Sequence, residues 1–235
     1  MRRRIASASL VLALPLHAAT IAVDVGHSLG APGATSAYGE PEFFYNRSLA
    51  LEVARQLRGA GHLVLLVGAD GEEAGLRSRP EMAAVAHADL FVSIHHDSAQ
   101  QRFLHPWTVD GVQRWYTDFS GYSLFVSRQN PAFAASAACA QAISRQLRQR
   151  GFQRTLHHSA EIAGEGRPRF DRALGVYEAD FAVLRHASMP AVLFEAGVIL
   201  NRDDAVSLRR PATRARMAGA VTAAMGDCLA ARPRE

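Results

Sequence analysis

His27 and His95 each end a short apolar run, Ile21-Ala22-Val23-Asp24-Val25-Gly26-His27 and Leu90-Phe91-Val92-Ser93-Ile94-His95. A catalytic zinc site takes three protein ligands of histidine or carboxylate type and leaves a position open for water. In an α/β sheet, ligands collect beyond the carboxyl ends of the strands, so two histidines there are placed for chemistry rather than packing. Glu42 offers a third ligand: it lies four residues before Asn46 and so shares the inward stripe of a helix. Glu40, in the preceding turn, is the alternative, and Glu42 could instead be an acid that stabilises the helix N-terminus. Glu195 ends the run Pro190-Ala191-Val192-Leu193-Phe194-Glu195. A charge at the mouth of a buried strand is costly unless a metal, partner or water offsets it. That position suits a general base acting on a water that attacks a carbonyl; a salt bridge with Arg185 or Arg79 is the competing assignment.

The elements that hold these residues follow from hydrophobic periodicity. Residues 21–25, 62–67, 89–95, 122–127 and 191–195 read as strands, with 62–67 short and buried. Asn46, Leu49, Ala50, Val53 and Leu57 recur at helical spacing, closed by Gly59 and Gly61. Further helices are expected at 79–87, 132–151 and 212–231. Strands alternating with helices of this length predict a single α/β domain, a mostly parallel sheet covered on both faces. Residues 28–39 form a loop rich in Gly, Ser and Pro. Residues 97–120, with Trp107, Trp115 and Tyr116, lack periodicity and read as a surface excursion over the site. Residues 153–173 read as irregular and polar.

Arg2, Arg3 and Arg4 precede an apolar stretch from Ile5 to Leu16 and the small pair Ala18-Ala19, the order of a secretory signal peptide. This predicts a leader over 1–19, a mature domain over 20–235, and export across the inner membrane to the periplasm. The arginine pair hints weakly at twin-arginine export. No later segment is apolar enough to span a membrane. The 26 basic and 22 acidic residues become 23 and 22 once Arg2, Arg3 and Arg4 are gone, which removes the basis for a nucleic-acid or membrane reading from net charge. Every basic residue in that count is arginine, so a lysine nucleophile is excluded. Cys139 and Cys228 are the only cysteines; export permits a disulfide, and two buried free thiols are at least as well supported.

Taken in order, these residues resemble the zinc-dependent N-acetylmuramoyl-L-alanine amidases of the type-3 amidase family, from Ile21 to about Leu229. Four blocks carry the resemblance: Val23 to His27 with Pro32-Gly33-Ala34; Glu42 with Asn46; Ala88 to His95; and Val183-Leu184-Arg185, Pro190 to Gly197, Asn201 and Asp204. The resemblance implies a zinc ion held by His27, Glu42 and His95, with Glu195 as the catalytic glutamate. It implies a peptidoglycan substrate cut at the amide between N-acetylmuramic acid and L-alanine, a five- or six-stranded sheet, and room for a protein activator. Where the family has a small residue and asparagine after the second histidine, this chain has His96 and Asp97; a strand neighbour points to the opposite face, which favours His95 as ligand. Val198 replaces an aromatic residue. Residues 155–173 occupy the place of an inhibitory helix in some relatives, and Glu161 or Glu165 would reach the metal if the segment folded over. Gly164, Gly166 and Pro168 oppose a stable helix there. His157 and His158 read as solvent-exposed loop residues, with an accessory metal role as the lesser alternative. Competing functions are another zinc amide hydrolase, such as a carboxypeptidase or deacetylase, and a catalytically silent wall-binding or regulatory module.

Overall fold

The computed structural model describes residues 18–159 and 163–231; residues 1–17, which carry nearly all of the expected leader, and Glu161 lie outside the described residues. The strands are β1 (Thr20–Val25), β2 (Leu63–Val67), β3 (Leu90–Asp97), β4 (His105–Val109), β5 (Val112–Tyr116), β6 (Ser123–Val126), β7 (Arg169–Asp171), β8 (Val176–Glu178) and β9 (Ala191–Val198). The helices are α1 (Glu42–Gly59), α2 (Ser78–Val85), α3 (Phe133–Gln149), α4 (Ala182–Arg185), α5 (Arg202–Leu208) and α6 (Pro211–Ala230). Seven strands form one sheet in the order β2-β1-β3-β9-β6-β8-β7. This is larger than the five or six strands expected, because β7 and β8, three residues each, extend the sheet from within a stretch that lacks periodicity. Pairing is parallel from β2 through β1 and β3 to β9, antiparallel between β9 and β6, parallel between β6 and β8, and antiparallel at β7.

The central strands are apolar on both faces, as a sheet covered on both sides requires. On one face Ile21, Val23, Leu90, Val92 and Phe194 pack with Leu49, Val53, Ile143, Val221 and Met225 of α1, α3 and α6. On the other, Ala22, Phe91 and Leu193 meet Ala83 of α2 and Val183 and Leu184 of α4. Cys139 of α3 and Cys228 of α6 are joined by a disulfide, which settles the alternative left open by the sequence. The strand expected to be buried at 62–67 is the sheet edge: β2 pairs only with β1, and Leu63 is 66% exposed.

Chain order brings the strand ends together. β1 lies between β2 and β3, so the connection from β2 to β3 passes to the far side of β1, and a crevice opens where the strand order reverses. β1, β3 and β9 run parallel as neighbours, so their carboxyl ends meet along one rim, with His95 level with Glu195. The excursion at 97–120 contains the β4–β5 hairpin. The hairpin is tied to the loop after β1 and to α5: Trp107 Nε1 donates to the Ala37 carbonyl at 3.1 Å, and the Arg202 guanidinium stacks on Tyr116 at 4.1 Å.

Candidate metal centre and active site

His27, Glu42 and His95 converge at the rim, their ligand atoms all within 4.8 Å of one another. Each arrives on a different element. His27 follows β1, Glu42 opens α1 on the heels of the extended Pro41, and His95 lies near the end of β3. His27 Nε2 is 3.0 Å from Glu42 Oε2, and His95 Nδ1 is 3.1 Å from Glu42 Oε1. Burial opposes ionisation of Glu42, but the two histidines outweigh it and hold the carboxyl well below its ordinary range. Burial likewise opposes protonation of His27, and the Glu42 carboxylate overcomes it, raising His27 above its usual value.

The backbone is shaped for this cluster. His27 has φ 69°, in the left-handed region that costs a non-glycine residue about 1 kcal/mol or more. Arg79, fully buried, holds that turn: it donates to Asp24 Oδ1 at 2.6 Å and to the carbonyls of Val25 and His27. Ser93 Oγ donates to the other Asp24 oxygen at 2.6 Å. Gly33, at φ 79°, leaves space where a β-carbon would stand 2.4 Å from Glu42 Oε2 and 2.7 Å from His27 Nε2. At Gly26 a β-carbon would stand 2.3 Å from His95 Nε2. Two side-chain-free positions and three mutually facing donors, one anionic, make a cradle whose chemistry suits a transition metal.

His96 is not part of this cluster. Its Nδ1 lies 2.7 Å from Asn46 Oδ1, and burial drives its pKa down to about 3. Asn46 also donates to Glu42 Oε1 at 3.0 Å and to the Gly26 carbonyl at 3.1 Å, fixing the carboxylate from behind. Glu40, the alternative ligand, turns away and pairs with Arg209 at 3.2 Å.

Glu195 shares a cavity of about 540 Å³ with His27, Glu42 and His95. Neither competing salt bridge forms: Arg79 is committed to Asp24, and Arg185 pairs with Asp180 at 3.1 Å. Glu195 Oε2 is buried with no hydrogen-bond partner among the described residues. Burial, then the carboxylates of Asp97 and Glu42, push Glu195 well above the ordinary carboxyl range. A half-buried carboxyl with raised proton affinity beside a metal cradle is equipped to take up and release a proton.

A second group of donors lies beside the first. His157 and His158, expected to be exposed, are 2% and 4% exposed, and they face Asp97. Phe119 stacks on His157 at 4.7 Å and Phe125 meets His158 edge-on at 5.2 Å, so the excursion and β6 cover them. Glu165 does not reach the first cluster; its Oε1 accepts from the Gln100 N–H at 2.7 Å. A doublet of histidines without periodicity carries no burial signal, and only its chemistry could have flagged it.

Residues 21–227 match the family model described as N-acetylmuramoyl-L-alanine amidase. The chain is 27% identical over 208 residues to the N-acetylmuramoyl-L-alanine amidase LytC of Bacillus subtilis, covering 88% of this chain and 35% of that protein. Among solved structures, the catalytic domain of the amidase CwlV from Bacillus (Paenibacillus) polymyxa superposes with a TM-score of 0.69 at 22% identity, covering 91% of this chain and 99% of that one. The amidase CwlD from Clostridioides difficile, solved in complex with the GerS lipoprotein, gives 0.64 at 19% identity, covering 91% and 100%.

Proposed function

The chain belongs to the N-acetylmuramoyl-L-alanine amidase family, and from that premise we propose that it is an exported, zinc-dependent enzyme cleaving the amide between N-acetylmuramic acid and L-alanine in peptidoglycan. The observation that carries the reading is the convergence of His27, Glu42 and His95 beside Glu195, whose buried Oε2 has no partner among the described residues. His27, Glu42 and His95 would hold the zinc. Zinc there would supply Lewis acidity, polarising the scissile carbonyl and making water a nucleophile at neutral pH. Glu195 accepts the proton from the attacking water at Oε2 and delivers it to the leaving nitrogen, freeing the amino end of L-alanine. Asn46 keeps Glu42 oriented, and Arg79 keeps the His27 turn in place.

Export is supported by the leader-like residues 1–19 and by the Cys139–Cys228 disulfide, which suits an oxidising compartment such as the periplasm. No helix among the described residues is long and apolar enough to cross a membrane. A protein activator belongs to the same proposal, supported by the structure of CwlD with the GerS lipoprotein.

Digestion of purified sacculi followed by mass analysis tests the reading. The expected product is an intact stem peptide with a free L-alanine amino end; shortened stems or deacetylated glycans would favour a carboxypeptidase or a deacetylase instead. Glu195→Gln should lower kcat by about 10²–10⁴-fold while leaving bound metal unchanged. Wild-type turnover by Glu195→Gln would remove Glu195 from the chemistry.

A further inference from the structure

The segment after α3 brings a second set of donors to the rim. His158 Nε2 lies 2.6 Å from Asp97 Oδ2, His157 Nε2 lies 3.4 Å from the same oxygen, and His157 Nε2 lies 3.9 Å from Glu165 Oε2. All four side chains are held from behind. His158 Nδ1 faces the Glu165 carbonyl at 3.0 Å, and because a carbonyl can only accept, that nitrogen carries the proton and Nε2 is the one turned inward. His157 Nδ1 is tied to Thr155 Oγ1 at 2.6 Å. Asp97 Oδ1 accepts from the Ser98 N–H at 2.8 Å and Glu165 Oε1 from the Gln100 N–H at 2.7 Å, leaving Oδ2 and Oε2 free to face the histidines. Such outer hydrogen bonds are what orient the ligands of metal sites.

His157 Nε2 is buried with no hydrogen-bond partner among the described residues, and its side chain is fully inaccessible. An isolated buried ring nitrogen is costly. In a tetrahedral site with bonds near 2.0–2.1 Å, ligand atoms stand about 3.3 Å apart, so the 3.4 Å separation matches and the 2.6 Å contact must open by less than about 1 Å, while Glu165 Oε2 stands 3.9 Å from His157 Nε2 at the edge of the group. The adjoining cavity, about 350 Å³, is lined by the carboxylates of Asp97, Glu165 and Glu195 against one arginine, Arg167. A divalent cation would offset the negative charge of Asp97 and Glu165.

We propose that Asp97, His157 and His158 form a second site for a divalent transition metal with Glu165 beside it, separate from the His27–Glu42–His95 cluster, with Glu195 lining the cavities of both. The ion fastens the segment around His157 to the end of β3, and so builds one wall of the cavity that Glu195 enters.

Metal analysis of the purified full chain, equilibrated with excess Zn²⁺ and desalted, tests this without reference to activity. The wild type should retain about two ions, and His27→Ala, Asp97→Asn and His158→Gln about one each. Asp97→Asn keeps the shape of the side chain, so the test stands even if His158→Gln does not fold. Cobalt substitution of His27→Ala should still give visible absorption bands, and these should disappear in His27→Ala/Asp97→Asn. A wild type holding no ion, a single ion that is lost with His27→Ala, or an ion count unchanged by Asp97→Asn overturns the proposal. A single ion that survives His27→Ala and is lost with Asp97→Asn upholds it while overturning the first cluster.

Discussion

A residue can be placed for function at the expense of its own comfort, and His27 is such a residue. Its left-handed backbone, φ 69°, aims the ring at Glu42, and the fold supports that conformation through Arg79. In metal-free protein, His27→Gly should therefore stay within about 1 kcal/mol of wild-type stability, since relief of the backbone strain compensates for the lost Glu42 contact. The same variant should lose the metal. Gly33→Ala should fare worse, because its backbone is also left-handed and the added methyl would stand 2.4 Å from Glu42 Oε2. Denaturant titrations in chelator, paired with zinc affinity, check both; a Gly33→Ala protein that keeps wild-type affinity would contradict this account of the cradle.

Among the elements, β1 depends on two buried polar anchors. Arg79 from α2 reaches Asp24, which is fully buried in β1. Arg79→Ala leaves that carboxylate unpaired and should cost roughly 3–5 kcal/mol in urea unfolding. At the start of β2, His62 Nδ1 accepts from the Ala19 N–H at 3.4 Å, and burial, partly opposed by Asp89, lowers its pKa from the ordinary value of 6.5. The fold favours neutral His62, so its contribution is complete above pH 6.5 and is lost as the pH falls through the lower folded value. His62→Gln should accordingly flatten the loss of stability between about pH 7 and pH 5 relative to wild type. Identical slopes for the two proteins would rule His62 out as its source. The elements also show what could be read in advance. Apolar runs at 21–25, 89–95 and 191–195 and the stripe of α1 are local patterns, and they placed His27, Glu42, His95 and Glu195 on the correct elements. The burial of His157 and His158 depends on Phe119, Phe125 and Asp97, partners dozens of residues away that no local pattern announces. Likewise β7 and β8 are three residues each, too short for period-two alternation to register.

For the molecule as a whole, the disulfide between α3 and α6 closes a loop of 89 residues on the face where α1, α3 and α6 pack. Loop-closure entropy predicts that replacing both cysteines with alanine lowers unfolding free energy by roughly 4–5 kcal/mol, measurable as a shift in the urea midpoint. An unchanged midpoint would show that helix packing alone sets the stability. The loop encloses β7 to β9, and with them Glu195, His157 and His158, while His27, Glu42 and His95 lie outside it. A protease that cuts the chain once between the two cysteines therefore releases nothing: both pieces remain one covalent molecule. Electrophoresis of such nicked protein would show full mass without reductant and two fragments with it, and a single cut would not part Glu195 from the three residues it faces.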